Sequence, residues 1–397
     1  MRIDFYGLFS SEMGIGEAAR RLLQDLIEND IEVNVIDLQV GHSRKQAAFP
    51  KTVHQTNQTI AILALNPDAI PLAFFAFGKK LRGYSHTIAF WSWELEVVPH
   101  FWGTATTLFD EIWTVSDYSK KAIETISSVP VRTIRLPLSQ LSKNAQYVKT
   151  SDTVTFLTSF DFASDINRKN PAASIVAYKE AISPNTGARL LVKTINSSRH
   201  SEEAFELRKL AANRDDIVFI DEYFDENKNQ NLIMNSDCFL SLHRAEGLGL
   251  NILDAATYGV PTISTSYSAP IEYLTGPSNM LVMHKKTTVK FYAGQRVDAE
   301  WADPDIDHAS DLISKLFQSP FAQGIRKAMS EGFIANYSTL RNSDHIERLK
   351  SLDRLSHRNS NLTSSITKLR SLLGLSINLF LTYFRRRVHR YFIKSRH

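Results

Sequence analysis

Two acidic residues eight positions apart, Glu246 and Asp254, bracket the most chemically suggestive stretch of the 397-residue chain. Glu246 opens the loop Glu246-Gly247-Leu248-Gly249-Leu250-Asn251, and Asp254 falls inside the helix that this loop leads into, whose first turn is read as Leu248 to Asn251. A helix N-terminus offers unpaired N–H groups and the positive end of its dipole, which suit a diphosphate. Carboxylates beside it can accept hydrogen bonds from the hydroxyls of a sugar or a ribose. His243, three residues before Glu246, either contacts the same ligand or is a satisfied loop histidine.

Other segments carry residues of similar promise. Gly14-Ile15-Gly16-Glu17-Ala18-Ala19 fits G-x-G-x-x-A, and Asp37 follows Gly16 by 21 residues, near the place of the ribose-binding acid in a dinucleotide site. An NAD-dependent oxidoreductase is therefore one alternative. Against it, the first strand ends near Tyr6 and seven residues intervene before Gly14, whereas the dinucleotide fingerprint has its first glycine at the strand's end. Phe90-Trp91-Ser92-Trp93-Glu94-Leu95-Glu96, with Trp102 nearby, places three tryptophans within twelve residues. Indole faces stack well on sugars, so Trp91 and Trp93 are read as acceptor-binding, with Glu94 toward the reaction centre; core packing is the competing reading. Asn66, ending the preceding strand, is a further acceptor-site candidate. Lys193 ends another apolar strand and either enters the cleft or snorkels. Asp303-Pro304-Asp305 has the spacing of a D-x-D metal motif but precedes a helix outside the expected cleft and is read as structural. The sequence has no zinc-like cluster and no G-x-S-x-G elbow, so no metal ligands are assigned.

These residues need a scaffold, and the alternation of short apolar runs with helical patterns supplies one. Strands are expected at Ile3 to Tyr6, Ile31 to Leu38, Thr59 to Leu65, Thr87 to Trp93 and Glu111 to Ser116, with intervening helices. After a polar stretch from Ser139 to Asp152 the alternation restarts and continues to Val260 to Ser264. That order predicts two parallel α/β sheets, each with a ligand crevice beyond the carboxyl ends of its strands. Length agrees, since 397 residues exceed what one core sustains. At 43% apolar and 22% charged the composition is globular, and a net charge of +4 gives no reason to expect nucleic acid. The single cysteine, Cys238, sits in an apolar strand and reads as a buried thiol. No export signal is visible, which favours a cytoplasmic location. Ile366 to Phe384, followed by Arg385-Arg386-Arg387, is too interrupted to span a bilayer. It reads as an amphipathic helix whose basic neighbours, within 366–397, meet an anionic membrane surface, making the protein peripheral on the inner face of the plasma membrane; a helix packed on the body is the alternative.

The stretch from Asp237 to Ala255, with Gly259-Val260-Pro261 after it, resembles the donor-site signature of the family 4 (group 1) retaining glycosyltransferases of GT-B fold. The resemblance covers roughly residues 1–340, most closely 155–275. It implies two Rossmann-like domains facing a cleft plus a C-terminal helical tail: an acceptor-binding domain at 1–148, a nucleotide-sugar donor domain at 149–325, helices at 326–357 crossing back to the first domain, and a basic amphipathic tail at 358–397. Family roles carried over place Glu246 on the transferred sugar and Asp254, where glutamate is usual, on the ribose. Arg168 and Lys169, in Asn167-Arg168-Lys169-Asn170-Pro171, resemble the basic pair that neutralises the leaving diphosphate. Gly14 and Gly16 resemble the glycine loop facing the donor phosphates, and Gly247, Leu248, Gly249, Leu250 and Asn251 line the donor with His243. The implied activity is retaining transfer of a hexose, read as mannose-like, from a nucleotide-diphosphate sugar to a glycan or lipid-linked saccharide acceptor in polysaccharide biosynthesis, with no cofactor and no metal. A non-catalytic sugar-binding protein of the same fold is the other alternative, prompted by Asp254 and by the absence of the histidine that many members have at the strand end near Glu94.

Overall fold

The computed structural model describes residues 1–38, 44–50, 60–70, 83–140, 152–276, 279–319, 323–341 and 343–356. Part of the polar connection after Gln140 and the whole 366–397 segment lie outside the described residues. Among the described residues no helix is long and apolar enough to cross a membrane.

The first domain is a sheet of six described strands, β1 (Arg2–Gly7), β2 (Glu32–Asp37), β3 (Ile60–Ala64), β4 (His86–Trp91), β5 (Glu111–Thr114) and β6 (Val131–Thr133), in the order β2-β1-β3-β4-β5-β6. Every pairing is parallel. Central strands β3 and β5 are buried along their whole length, which is why they read as continuous apolar runs rather than alternating ones. Helices α1 (Gly14–Glu28), α2 (Phe101–Thr106) and α3 (Asp117–Glu124) connect them. The last of these starts where Ser116 accepts a hydrogen bond from the Ser119 N–H, an N-cap.

The second domain repeats the plan with β7 (Val154–Asp161), β8 (Ala188–Ile195), β9 (Ile217–Asp221), β10 (Cys238–Ser241), β11 (Thr262–Thr265) and β12 (Asn279–Val282), ordered β12-β11-β10-β7-β8-β9, again parallel throughout. Its helices are α4 (Ile166–Lys169), α5 (Pro171–Ala181), α6 (Ser201–Leu210), α7 (Glu226–Met234), α8 (Leu250–Thr257) and α9 (Ile306–Gln318). Strand order reverses between β7 and β10. In a parallel α/β sheet such a reversal is where a ligand crevice is expected, beyond the carboxyl ends of the two strands.

One element departs from the alternation. Between β12 and α9 the chain forms an antiparallel hairpin, β13 (His284–Tyr292) and β14 (Gln295–Pro304). Ala293 and Gly294 at its tip both have positive φ, 49° and 72°, which permits the tight reversal. Alternating Val297, Ala299 and Trp301 are the period-two signal for β14, and they are buried in a cluster made mostly of first-domain residues.

Two further helices, α10 (Gln323–Leu340) and α11 (Asp344–Ser356), tie the halves together. Arg326 donates to the Met234 carbonyl in the second domain, whereas the Tyr337 hydroxyl donates to the Leu136 carbonyl in the first. Two buried carboxylates of the first domain hold the end of this excursion: Asp25 receives Arg341 and His345, and Glu111 receives Arg348 and the Trp113 indole N–H. Burial alone would raise the Asp25 pKa, but His345 and Arg341 hold it lowered. A single apolar cluster runs from Phe5 and Leu22 through Leu253 and Tyr273 to Tyr337 and Leu349, so the two domains share part of one core.

Candidate active site

The loops that leave β7 and β10 are sewn to each other at the crevice. Asn170, in the left-handed region at φ 49°, joins α4 to α5 and donates through its amide to the Leu242 carbonyl at 2.9 Å. The Arg244 N–H donates to the Arg168 carbonyl, and Arg168 Nη1 donates to the Ala245 carbonyl, both at 2.8 Å. The consequence is a fixed meeting point for three charges: Glu246 faces Lys169 Nζ at 2.6 Å and Arg168 Nη1 at 3.0 Å. Glu246 is 6% exposed and its side chain can relax little. Burial would raise its pKa, yet Arg168 and Lys169 pull it down to about 2. Burial would likewise lower the Arg168 pKa, but Glu246, Tyr292 and Glu94 hold it raised. The backbone of Glu246 is fixed as well, its N–H donating to Ser268 Oγ at 2.8 Å.

Glu94 comes to the same place from the first domain. Its Oε1 lies 3.9 Å from Arg168 Nη2, and its Oε2 accepts from the Tyr292 hydroxyl at 2.8 Å. Glu94, Arg168, Lys169 and Glu246, chosen from three separate sequence segments, thus form one cluster across the domain boundary. Tyr292, which joins them, arrives on the hairpin and was not a sequence candidate.

Asp254 forms a second cluster one turn into α8. Its Oδ2 meets Arg21 Nη2 at 2.8 Å, and Arg21 Nε meets Glu17 Oε1 at 2.8 Å, so α1 of one domain is ion-paired to α8 of the other. Asp254 Oδ1 and Arg21 Nη1 are buried without a hydrogen-bond partner, an unusual condition for polar atoms inside a protein. Asn251, in the first turn of α8, is half-buried with its amide 3.4 Å from Ser159 Oγ, and Leu250 is half-buried beside it.

Several candidates are placed elsewhere, each for a physical reason. Trp91 is fully buried, edge-on to Trp102 and Phe109, and Trp93 is 4% exposed between Trp102 and Tyr292. Neither offers a face to a sugar; the aromatics are core. Asn66, partly buried, uses both ends of its amide on the backbone of Ser92, at 2.9 and 3.0 Å, and so holds the Trp91-Ser92-Trp93 turn. His243 is fully buried, with Nδ1 3.0 Å from Ser241 Oγ and Nε2 3.3 Å from the Tyr267 carbonyl. It is the satisfied loop histidine, not a donor contact.

The glycines also resolve differently from one another. A Cβ on Gly16 would meet the Ser11 and Leu8 carbonyls at 2.5 and 2.6 Å, so that glycine admits its own loop backbone rather than a ligand. Gly14, the first residue of α1, stands in open space. A Cβ on Gly247 would strike the Trp93 carbonyl at 2.8 Å, and the Gly247 carbonyl accepts from Ser116 Oγ at 2.6 Å, so this glycine abuts the first domain. The helix begins at Leu250, two residues later than its sequence suggests, because Gly249 takes a left-handed φ of 80° just before it. Leu248 therefore lies in the loop, 6% exposed, its carbonyl accepting from the Tyr273 hydroxyl.

The remaining motifs are structural. Arg20 donates to the Phe9 and Ser11 carbonyls at 2.7 and 2.8 Å while paired with Glu17, and Asp37 accepts from the Ser10 N–H. The residues between β1 and α1 are thus an internally braced loop, with Asp37 engaged in bracing it, unlike a dinucleotide turn. Lys193 is 5% exposed and donates to the Thr194 and Glu222 carbonyls, joining β8 to the loop after β9. Asp303 pairs with Arg244, while Asp305 caps α9, so the two acids do not converge.

No protein-family model and no curated protein matches the chain in sequence. Solved structures do match it in shape. HepE of Anabaena, in complex with UDP and glucose, aligns over 90% of this chain and 100% of its own at TM-score 0.58 and 10% identity. The chain has the GT-B fold. A trehalose-6-phosphate structure from E. coli, bound with UDP-2-fluoro glucose, aligns over 89% of this chain and 98% of its own at TM-score 0.57 and 9% identity. WaaG, a glycosyltransferase involved in lipopolysaccharide biosynthesis, aligns over 85% and 95% at TM-score 0.51 and 11% identity. Identities this low leave the chemistry of a GT-B cleft to be argued from its own residues.

The buried titratable groups set an acid limit. Burial lowers the His243 pKa from 6.5 to about 4, so the unfolded chain binds its proton first on acidification. The stability due to the neutral ring is present above about pH 6.5 and is lost as pH falls toward 4. Glu246 adds a second loss as pH falls from 4.5 toward 2. The melting temperature is expected to fall steadily below pH 6.5, and His243→Gln should flatten the part between pH 6.5 and 4. Equal slopes for the two proteins would contradict the assignment.

Proposed function

We propose that this chain is a glycosyltransferase that uses a nucleotide-diphosphate sugar. The observation carrying this reading is the convergence of Arg168 and Lys169 on Glu246 at the strand-order reversal of the second domain, beside the N-terminus of α8. Two cations next to free helix N–H groups suit a diphosphate, and a carboxylate kept ionised by them suits the hydroxyls of the attached sugar. The fold likeness to proteins solved with UDP and sugars supports the same reading.

In the proposed reaction the bond between the anomeric carbon and the diphosphate oxygen breaks while Arg168 and Lys169 stabilise the growing negative charge. The acceptor hydroxyl approaches from the Glu94 side, its oxygen bonds to the anomeric carbon, and its proton passes to the leaving phosphate oxygen. Attack on the face that the diphosphate leaves makes the transfer retaining. Asp254 is proposed to accept from the ribose through Oδ1, which has no hydrogen-bond partner but is closed to solvent in the free protein and so must be uncovered on binding, while Arg21 keeps Oδ2. A hexose, mannose-like, is the proposed cargo, and a glycan or lipid-linked saccharide of polysaccharide assembly the proposed acceptor. Neither a cofactor nor a metal has a part in this scheme.

A panel of UDP-glucose, UDP-N-acetylglucosamine and GDP-mannose tests the reading, with release of nucleoside diphosphate as the readout. At least one donor is expected to be hydrolysed slowly and to raise the melting temperature. Stabilisation by NADH with none by any nucleotide sugar would instead favour the oxidoreductase.

A further inference from the structure

We propose that the β13–β14 hairpin is the acceptor-side wall of the reaction centre, with Tyr292 as a positioning residue that fixes the Glu94 carboxylate; this rests on the transferase reading above. The hairpin belongs in sequence to the second domain. Its inward side chains Val289, Tyr292, Val297, Ala299 and Trp301 are nevertheless buried in one cluster with Trp91, Trp93 and Trp102 of the first. The Tyr292 ring stands edge-on to Trp93 at 5.2 Å, and its 5% exposure leaves the hydroxyl little freedom. That hydroxyl is spent on Glu94. Two residues further on, Glu96 is treated the same way, accepting from the Tyr267 hydroxyl at 2.9 Å and from Lys286 Nζ at 3.1 Å. Both carboxylates of the loop after β4 are therefore oriented by side chains of the opposite domain.

The hairpin is also tied to the donor side. The Ala302 N–H donates to the Arg244 carbonyl at 2.9 Å, and Arg244 pairs with Asp303 at 3.0 Å while lying over the Trp301 ring. Arg244 is two residues from Glu246, so one rigid ribbon sets both Glu246 and Glu94. The Glu94 side chain remains 25% exposed although its hydroxyl partner is buried. A carboxylate whose Oε2 is anchored by Tyr292 and whose Oε1 lies 3.9 Å from Arg168 Nη2, too far for a hydrogen bond, accepts a hydroxyl of a saccharide acceptor in a fixed direction, and the ordering cost is met before the substrate arrives.

The test uses whichever donor of the panel the wild-type protein hydrolyses fastest, with water in the acceptor's place. Tyr292→Phe keeps the ring in its packing and removes only the hydroxyl. Its kcat is expected to drop about tenfold with the donor KM within twofold, which a general loosening of the fold would not produce. Glu94→Gln should lose at least as much, and Tyr292→Phe in that background should lose nothing more. If Tyr292→Phe does not fold, Glu94→Asp takes its place: the shortened carboxylate gives up the 2.8 Å contact with the Tyr292 hydroxyl, and kcat is expected to fall about tenfold with the donor KM within twofold, unchanged turnover overturning the proposal. Unchanged turnover in Tyr292→Phe, or losses that multiply in the double variant, would overturn the proposal while leaving the transferase reading standing. A wild-type protein that turns over no donor overturns both.

Discussion

Glu246→Gln is expected to lower donor turnover by about 10²- to 10³-fold, the scale on which one preorganised electrostatic group acts, while nucleoside diphosphate binds as tightly as before or more tightly. The two halves of that result have one cause. In the free protein the Glu246 carboxylate is the shared counter-ion of Arg168 and Lys169. An amide of the same shape cannot neutralise them, so both cations become more available to a diphosphate even as the sugar loses its acceptor. The same change removes one partner from a buried ionic cluster, which costs about 3–5 kcal/mol where no replacement charge is present. Lys169 is partly exposed at its side chain, 24% against 5% for Arg168, so the lower end applies. Differential scanning with and without UDP, alongside donor hydrolysis, separates the effects. Joint loss of UDP binding and turnover in a folded variant would count against Glu246 as the sugar-binding group.

Arg21→Ala is expected to be the most destabilising single change at the domain boundary. It strips Asp254, whose side chain is 9% exposed, of the cation at 2.8 Å and leaves a buried carboxylate uncompensated. A loss of about 3–5 kcal/mol follows, or on the order of ten degrees in melting temperature for a domain of this size. Removing both charges, in Arg21→Met with Asp254→Leu, should restore much of the loss, since a matched apolar pair has no desolvation to overcome. The ribose reading of Asp254 makes a separate demand. Protection by UDP should stay weak in the double variant even as stability returns, and full protection there would restrict Asp254 to a structural role.

Much of this architecture was legible in the residues. Apolar runs of four to eight separated by helical patterns indicated two parallel sheets, because strands buried on both faces have no polar side to interrupt them. The connections from β7 and β10 carry Arg168, Lys169 and Glu246, which spacing and resemblance had already singled out. The hairpin was not read, although Val297, Ala299 and Trp301 alternate beside a glycine turn. Its pattern is short, and its reason for being apolar lies in the other domain.

The chain by itself determined the class of fold and the meeting of Arg168, Lys169 and Glu246, because both follow from local periodicity and from loops that leave neighbouring strands of one sheet. Tertiary structure alone decided which groups are free to act. Trp91, Trp93, Asn66 and His243 have the chemistry of binding residues, but packing and backbone hydrogen bonds have already claimed them. Tyr292 and Arg21 carry no local mark in the sequence and meet Glu94 and Asp254 only where the second domain meets the first. Contacts between residues some 200 positions apart obey no sequence period, so the pairs that join the two domains, Glu94 with Tyr292 and Arg21 with Asp254, could be found only in the folded molecule.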